Sequence, residues 1–292
     1  MSKLADEVEK YYPGSAAPYI CRGLRAELLW DMNAAAREFG SAWTVGIQAP
    51  RPDHYLLRGV AEELAWIYLG LERYVDAHNS VTLWMGLRPQ DYSLLNFAAV
   101  GSEGMRRYEQ AADEYMEAVE RGDAPLDYLY GMCLVHGRVG RAKEARTLLA
   151  KYRSEVPDVE EAFCEAALVL HDHEAEAVDI VRYWASKGEK PEQKAWTTLM
   201  GAACDTWRGP NKAAAQQLAR MKSDNWILEA YRQIYLAQAR GKMSDEQRTY
   251  LQKVHQYMSH ERCPWPAMDV REALNGGRVK LPRGLWFRPV EK

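Results

Sequence analysis

The chain has 292 residues, of which 47% are apolar and 27% are charged, a composition typical of a folded protein and not of a disordered one. Its formal net charge is −3, whereas nucleic-acid binding usually requires a strongly basic face. Composition therefore makes DNA or RNA an unlikely partner.

The N-terminal segment MSKLADEVEKYYPGS carries charges where a signal peptide would have an apolar core. No run approaches the roughly 18 apolar residues of a membrane helix, so no membrane span is expected. The five cysteines are odd in number, widely spaced and never form a CxxC pair. We therefore expect a cytoplasmic protein with free thiols.

In chain order, the first predicted elements are two helices within residues 13–42, followed by the irregular loop GIQAPRPDH. A clear 34-residue repeat then runs from residue 55 to residue 157. Small residues at fixed intervals let two helix axes approach closely, so each repeat predicts two antiparallel helices. The repeated positions are Tyr74 and Ala77, Tyr108 and Ala111, and Ala142 and Ala145, with Ala65, Ala99 and Cys133 preceding them.

Further helix pairs are predicted downstream, the last running from about Asn225 to about His260. Their predicted start signals are capping boxes and one N-cap. These are Asp158 with Glu161, Ser244 with Gln247, and Asn211. No segment shows the period-2 alternation of a buried strand over more than a few residues, so the predicted fold class is all-α.

With these residues in register, the sequence resembles the tetratricopeptide repeat family. The best matches are Leu64, Ala65, Tyr68, Ala77 and Pro89; Ala99, Ala111, Tyr115 and Ala118; and Cys133, Gly140, Ala145, Leu149 and Pro157. The resemblance implies a right-handed α-solenoid of about six to seven antiparallel helix hairpins over residues 1–260, with the best register over 55–157. Residues 261–292 are too few for a catalytic domain.

The stretch LVLHDHEAEAVD, residues 168–179, suggests a metal site at first reading. A zincin motif places two histidines one helical turn apart, as in HExxH, but Ala177 stands where the second histidine is needed. His171 and His173 would diverge by roughly 200° on a helix. The repeat register instead predicts a turn between two helices. A metal-dependent hydrolase using His171 to Glu174 is the enzyme-class alternative.

In this family the first helices of successive hairpins line a concave groove, and the resemblance implies that a ligand peptide lies there. The predicted lining is mostly apolar and suits an amphipathic helix or an extended apolar segment of a partner protein. We therefore expect a non-enzymatic adaptor without cofactor or metal; an RNA-processing scaffold of the related half-repeat type is a further alternative. The predicted partner-binding residues are Glu62, Trp66, Asn96, Tyr130, Leu134, Leu168, His171 and Trp207.

The C-terminal segment, residues 261–292, differs in composition because it is rich in proline, glycine and basic residues. Repeat arrays need a cap over the exposed face of their last helix, and this segment is predicted to supply one as an irregular tail. The alternative is a docking motif for a second protein that uses Trp286, Phe287 and Arg288.

Overall fold

The computed structural model describes residues 2–122, 125–154, 156, 158–186, 191–222, 225–260 and 264–283. Within these residues the chain forms sixteen α-helices and no strand, which confirms the all-α prediction. The helices are α1 (Ser2–Tyr11), α2 (Ala17–Leu28), α3 (Met32–Gln48), α4 (His54–Gly70), α5 (Tyr74–Leu87), α6 (Leu95–Gly104), α7 (Tyr108–Arg121), α8 (Pro125–Arg138), α9 (Ala142–Tyr152), α10 (Asp158–Val169), α11 (Glu174–Ala185), α12 (Pro191–Cys204), α13 (Lys212–Arg220), α14 (Trp226–Arg240), α15 (Asp245–His260) and α16 (Pro264–Leu274).

The chain divides into two compact units. The first comprises residues 1–123 with 259–262, and the second comprises residues 124–258 with 263–292. In each unit, helices that are adjacent in the sequence pack against each other, as α4 does with α5 in the first unit and α10 with α11 in the second. Each unit is therefore built from consecutive helix hairpins.

The 34-residue repeat recurs in the positions of the helices. Helices α5, α7 and α9 start at Tyr74, Tyr108 and Ala142, 34 residues apart. Two residues before each start, the backbone adopts the left-handed conformation, with φ of 57° at Glu72, 61° at Arg106 and 74° at Gly140. This conformation ends a helix by satisfying its last carbonyl groups. The repeat therefore specifies a turn as well as two helices.

The small residues of the repeat lie where neighbouring helices approach each other. They are Ala65, Ala77, Ala99, Ala111, Cys133 and Ala145, all with no exposed surface. In the second unit, a methyl group added at Gly137 of α8 would lie 2.8 Å from the carbonyl oxygen of Leu168 in α10. These two helix backbones are in direct contact, so the positions exclude larger side chains.

Two of the predicted helix start signals are present. Asn211 caps α13 by accepting a hydrogen bond from the Ala214 backbone N–H at 3.0 Å. Ser244 and Gln247 form the reciprocal bonds of a capping box before α15, at 3.1 and 3.2 Å. The third predicted signal, Asp158 with Glu161, is not assessed because the Asp158 side chain lies outside the described part of the structure.

Helix α16 differs from the irregular tail expected from the sequence. Its prolines, Pro264 and Pro266, fall in the first turn of the helix, where the backbone N–H groups need no partner within the helix. Trp265, Ala267 and Val270 are buried, and Ala267 and Val270 belong to a core shared with α12 to α15. The prolines that suggested irregular structure therefore begin a helix.

Asp269 of α16 is completely buried and connects α16 to two other parts of the second unit. Its carboxylate accepts hydrogen bonds from the Tyr231 hydroxyl of α14 at 2.7 Å and from the Arg283 backbone N–H at 2.6 Å. It also forms an ion pair with the Arg283 guanidinium. Burial raises the pKa of Asp269 to about 6, although Arg283 acts in the opposite direction.

Gly140 provides a test of the left-handed turn, because nothing lies within 4 Å of an added methyl group there. Gly140→Ala should lower the free energy of unfolding by about 1 kcal/mol through backbone strain alone. Gly59→Ala, a helical position with the same open space, should raise it by about 0.5 to 1 kcal/mol. Urea unfolding followed by circular dichroism measures both. Equal effects of the two changes would contradict the role of the turn.

The raised pKa of Asp269 predicts how pH changes stability. The folded state binds the Asp269 proton more tightly than the unfolded chain does, so this residue costs stability at pH 7 and that cost disappears as pH falls from about 6 towards 4. Relative to Asp269→Asn, which does not titrate, the wild type should gain roughly 2 kcal/mol between pH 7 and pH 4. Urea unfolding of both chains at several pH values measures this difference. A constant difference would contradict the assignment.

Candidate partner-binding site

The histidine stretch forms the predicted turn. Helix α10 ends at Val169 and α11 begins at Glu174, and the backbone N–H of His173 donates to the carbonyl oxygen of Val169 at 2.7 Å. His171 and His173 are exposed. Within the described residues, no group of three or more His, Cys, Asp or Glu side chains is arranged to hold a metal ion.

Basic side chains surround this turn. The Lys280 ammonium donates to the Glu174 carboxylate and lowers its pKa, and Arg208 lies 3.7 Å from the same carboxylate. Partial desolvation of the imidazole, together with Arg138 and Lys280, lowers the pKa of His171. His171 is therefore neutral at pH 7, and the Glu174 carboxylate forms an ion pair with Lys280.

In the first unit, Glu62 and Trp66 lie on one face of α4 and are partly exposed. Glu62 accepts a hydrogen bond from Arg58 at 3.3 Å. The Trp66 ring contacts Phe97 of α6 edge to face, with 4.8 Å between ring centroids. This contact fixes the orientation of the Trp66 ring and leaves part of its surface open, as a binding aromatic side chain requires.

Asn96, next to Phe97 on α6, is only 2% exposed. Its side-chain oxygen is buried and has no hydrogen-bond partner among the described residues. A buried amide oxygen without a partner costs about 1 to 3 kcal/mol. Asn96 presents no open surface in this structure, and partner binding by this residue stays a prediction.

In the second unit, the predicted residues are more enclosed. Leu168 is 1% exposed and Trp207 is 4% exposed, whereas Leu134 is partly exposed. The Tyr130 hydroxyl is buried and has no hydrogen-bond partner within the described part of the chain. Burial, followed by the charge of Asp269 and the nearby Tyr235, raises its pKa well above the usual value.

Residues 278–283, here called the C-terminal strap, lie against α14 and Trp207. The strap has neither helical nor strand structure. The Gln238 side chain of α14 donates to the Val279 carbonyl at 3.1 Å and accepts from the Val279 N–H at 3.0 Å. The Trp207 indole N–H donates to the Lys280 carbonyl at 2.8 Å. The strap backbone is therefore held by side chains of α14 and of the connection between α12 and α13.

The strap side chains divide into buried apolar and paired basic groups. Val279 and Leu281 are 3% and 5% exposed. Lys280 pairs with Glu174, and Arg283 pairs with Asp269 and with Glu272, the latter at 3.2 Å. The basic strap side chains therefore meet carboxylates, and the apolar strap side chains are buried.

The surface that receives the strap, here called the strap site, was only partly identified from the sequence. Trp207 was predicted as a groove residue, but the roles of Gln238 and Asp269 were missed. Gln238 lies on the same face of α14 as Tyr231 and Tyr235. This helical spacing was the sequence signal that could have placed Gln238 at the site. The second candidate docking element, Trp286, Phe287 and Arg288, lies outside the described residues. The Tyr235 hydroxyl donates to the Lys280 carbonyl at 3.4 Å. The strap site consists of Glu174, Trp207, Tyr235, Gln238, Asp269 and Glu272.

A separate polar cleft of about 490 Å³ in the second unit is lined by residues that include Arg182, Cys204, Asp205 and Arg208. Arg182 forms an ion pair with Asp205. Burial raises the pKa of the Cys204 thiol to about 12. Cys204 is therefore protonated at neutral pH and is not an activated nucleophile.

Comparison with known proteins supports the fold. No family model matches the sequence, and no curated protein matches it either. Among solved structures, the chain is similar to a tetratricopeptide repeat protein from Parabacteroides merdae, with a TM-score of 0.56 and 15% sequence identity. The similarity covers 89% of this chain and 97% of that one. None of the described helices is long and apolar enough to cross a membrane. The chain has the fold of a tetratricopeptide repeat protein.

Proposed function

We propose that the protein is a non-enzymatic interaction scaffold that binds a segment of a partner protein along the first helices of its hairpins. The observation that supports this most strongly is the binding of the C-terminal strap, whose backbone is held by Gln238 and Trp207. A surface that binds one non-helical segment through its main chain has the chemistry needed to bind another.

A second surface for the partner is proposed on α4 of the first unit. Trp66 is partly exposed, and its ring is fixed by Phe97. Large aromatic side chains with fixed orientation contribute disproportionately to binding, because little conformational entropy is lost when they are covered. Glu62, one helical turn before Trp66, adds a charged group beside it. Together they suit a segment with an apolar residue and a basic or hydrogen-bonding neighbour.

The compartment is proposed to be the cytoplasm. Cys21, Cys133, Cys164 and Cys204 are free thiols. Free cysteines of this kind are typical of proteins in a reducing environment.

Trp66→Ala should weaken partner binding while leaving the helices intact. Removing a central aromatic residue of an interface typically costs 2 kcal/mol or more, which corresponds to about a 30-fold loss in affinity. The measurement is affinity capture from a native lysate with the full chain, with each retained protein quantified by mass spectrometry. Circular dichroism and thermal melting establish that the variant is folded.

Two further variants make the test specific. Glu62→Lys changes the same surface without removing apolar packing, and its pair with Arg58 is partly exposed and worth little to stability. Leu83→Ala removes an exposed apolar side chain from α5 of the same unit, and Leu83 is 54% exposed. Proteins lost with Trp66→Ala and Glu62→Lys but retained with Leu83→Ala support the proposal. Equal retention by all folded variants contradicts it.

A further inference from the structure

The C-terminal strap is bound as a separate peptide would be bound. Its contacts with the strap site are of two kinds. Gln238 and Trp207 bind backbone atoms of Val279 and Lys280, and such contacts do not depend on the side chains of the ligand. The buried Val279 and Leu281 and the paired basic residues add contacts that do depend on them.

We propose that the strap site is a peptide-binding site for a non-helical segment with the chemistry of the strap. That chemistry is two apolar residues separated by a lysine, followed by proline and arginine, as in VKLPR. The chain's own strap occupies the site until a partner segment of the same chemistry displaces it. This inference rests on the proposed function, since it names the class of partner that the scaffold would bind.

Charge complementarity identifies this occupant. Glu174 receives Lys280 at one side of the site, and Asp269 with Glu272 receives Arg283 at the other. Asp269 is fully buried, so an acidic or neutral residue in place of Arg283 would leave its carboxylate in apolar surroundings without a counter-charge. The site therefore discriminates against segments without a basic residue at this position.

Apolar complementarity gives the site its second requirement. Val279 is part of the core formed with residues of α12 to α16, and Leu281 and Pro282 are buried beside it. A charged residue at the position of Leu281 would be placed in this apolar environment, which is strongly unfavourable. Leu281→Asp should therefore release the strap and leave every residue of the strap site unchanged.

The short covalent connection between α16 and the strap lets the strap compete effectively with a free peptide. Three residues, Asn275 to Gly277, connect the end of α16 at Leu274 to the strap. A segment held by so short a linker has an effective concentration in the millimolar range. A free peptide of the same sequence should consequently bind the wild-type chain weakly and the released chain much more tightly.

The test uses a fluorescein-labelled peptide with the sequence of residues 276–283, GGRVKLPR, and full-length protein. Fluorescence anisotropy should show at least about tenfold tighter binding to Leu281→Asp than to wild type, because the tethered competitor is removed. Lys280→Glu is a second releasing variant that leaves the apolar core untouched, since the Lys280 side chain is 38% exposed. It should show the same direction of change.

Matched controls assign the binding to the strap site. Adding Gln238→Ala to Leu281→Asp removes both hydrogen bonds to the backbone of the residue at the Val279 position and should abolish the gain. Adding Tyr183→Ala, an exposed residue on α11, should leave the gain unchanged. A peptide with aspartate at the leucine position, GGRVKDPR, should not bind. Circular dichroism and melting of each chain show that it is folded.

Three outcomes would overturn the proposal. The first is equal peptide binding by wild type and by both releasing variants when all are folded. The second is a gain that survives Gln238→Ala. The third is a wild-type dimer in light scattering that Leu281→Asp dissociates, because this would assign the site to the strap of a second copy. The Trp66 experiment tests a different surface. If Trp66→Ala leaves partner capture unchanged while the peptide still binds the strap site, only the proposed binding surface on α4 is contradicted.

Discussion

Close contact between helix backbones is the constraint on which the rest of the structure depends. At Gly137, the backbone of α8 touches that of α10, and the six small residues of the repeat have no exposed surface. Within each of the three best-matching hairpins, the turn between the two helices is short and contains a residue in the left-handed conformation. The positions of the exposed faces, and so of any binding residue, follow from this packing.

The sequence predicted those features of the fold that are encoded locally. A helix pair with a short turn and a capping side chain each depend on a few neighbouring positions, so the helix pairs of the 34-residue repeat and the capping box of Ser244 and Gln247 were predicted correctly. Helix α16 was missed because proline usually interrupts helices. Proline does not disrupt a helix when it lies in the first turn, and the sequence did not establish that Pro264 and Pro266 lie there.

The candidate site was harder to predict because its contacts join distant parts of the chain. Trp207 binds a carbonyl 73 residues away, and Gln238 binds Val279 over 41 residues. No periodic pattern specifies such pairs. Trp207 was predicted from the sequence as a groove residue, but the segment that contacts it in the structure depends on where α16 directs the chain. The role of Asp269 could not be predicted either, because this residue is buried by packing between α14, α16 and the strap.

The short connection between α16 and the strap has a kinetic consequence. Loops of about ten residues close in 10 to 100 ns, and a three-residue connection keeps the strap beside its site even when it is released. An incoming segment would meet an open site only during brief intervals, and its observed association rate would scale with the fraction of time that the site is open. Substitutions in the strap would then change how fast a partner is captured without altering any residue that the partner touches.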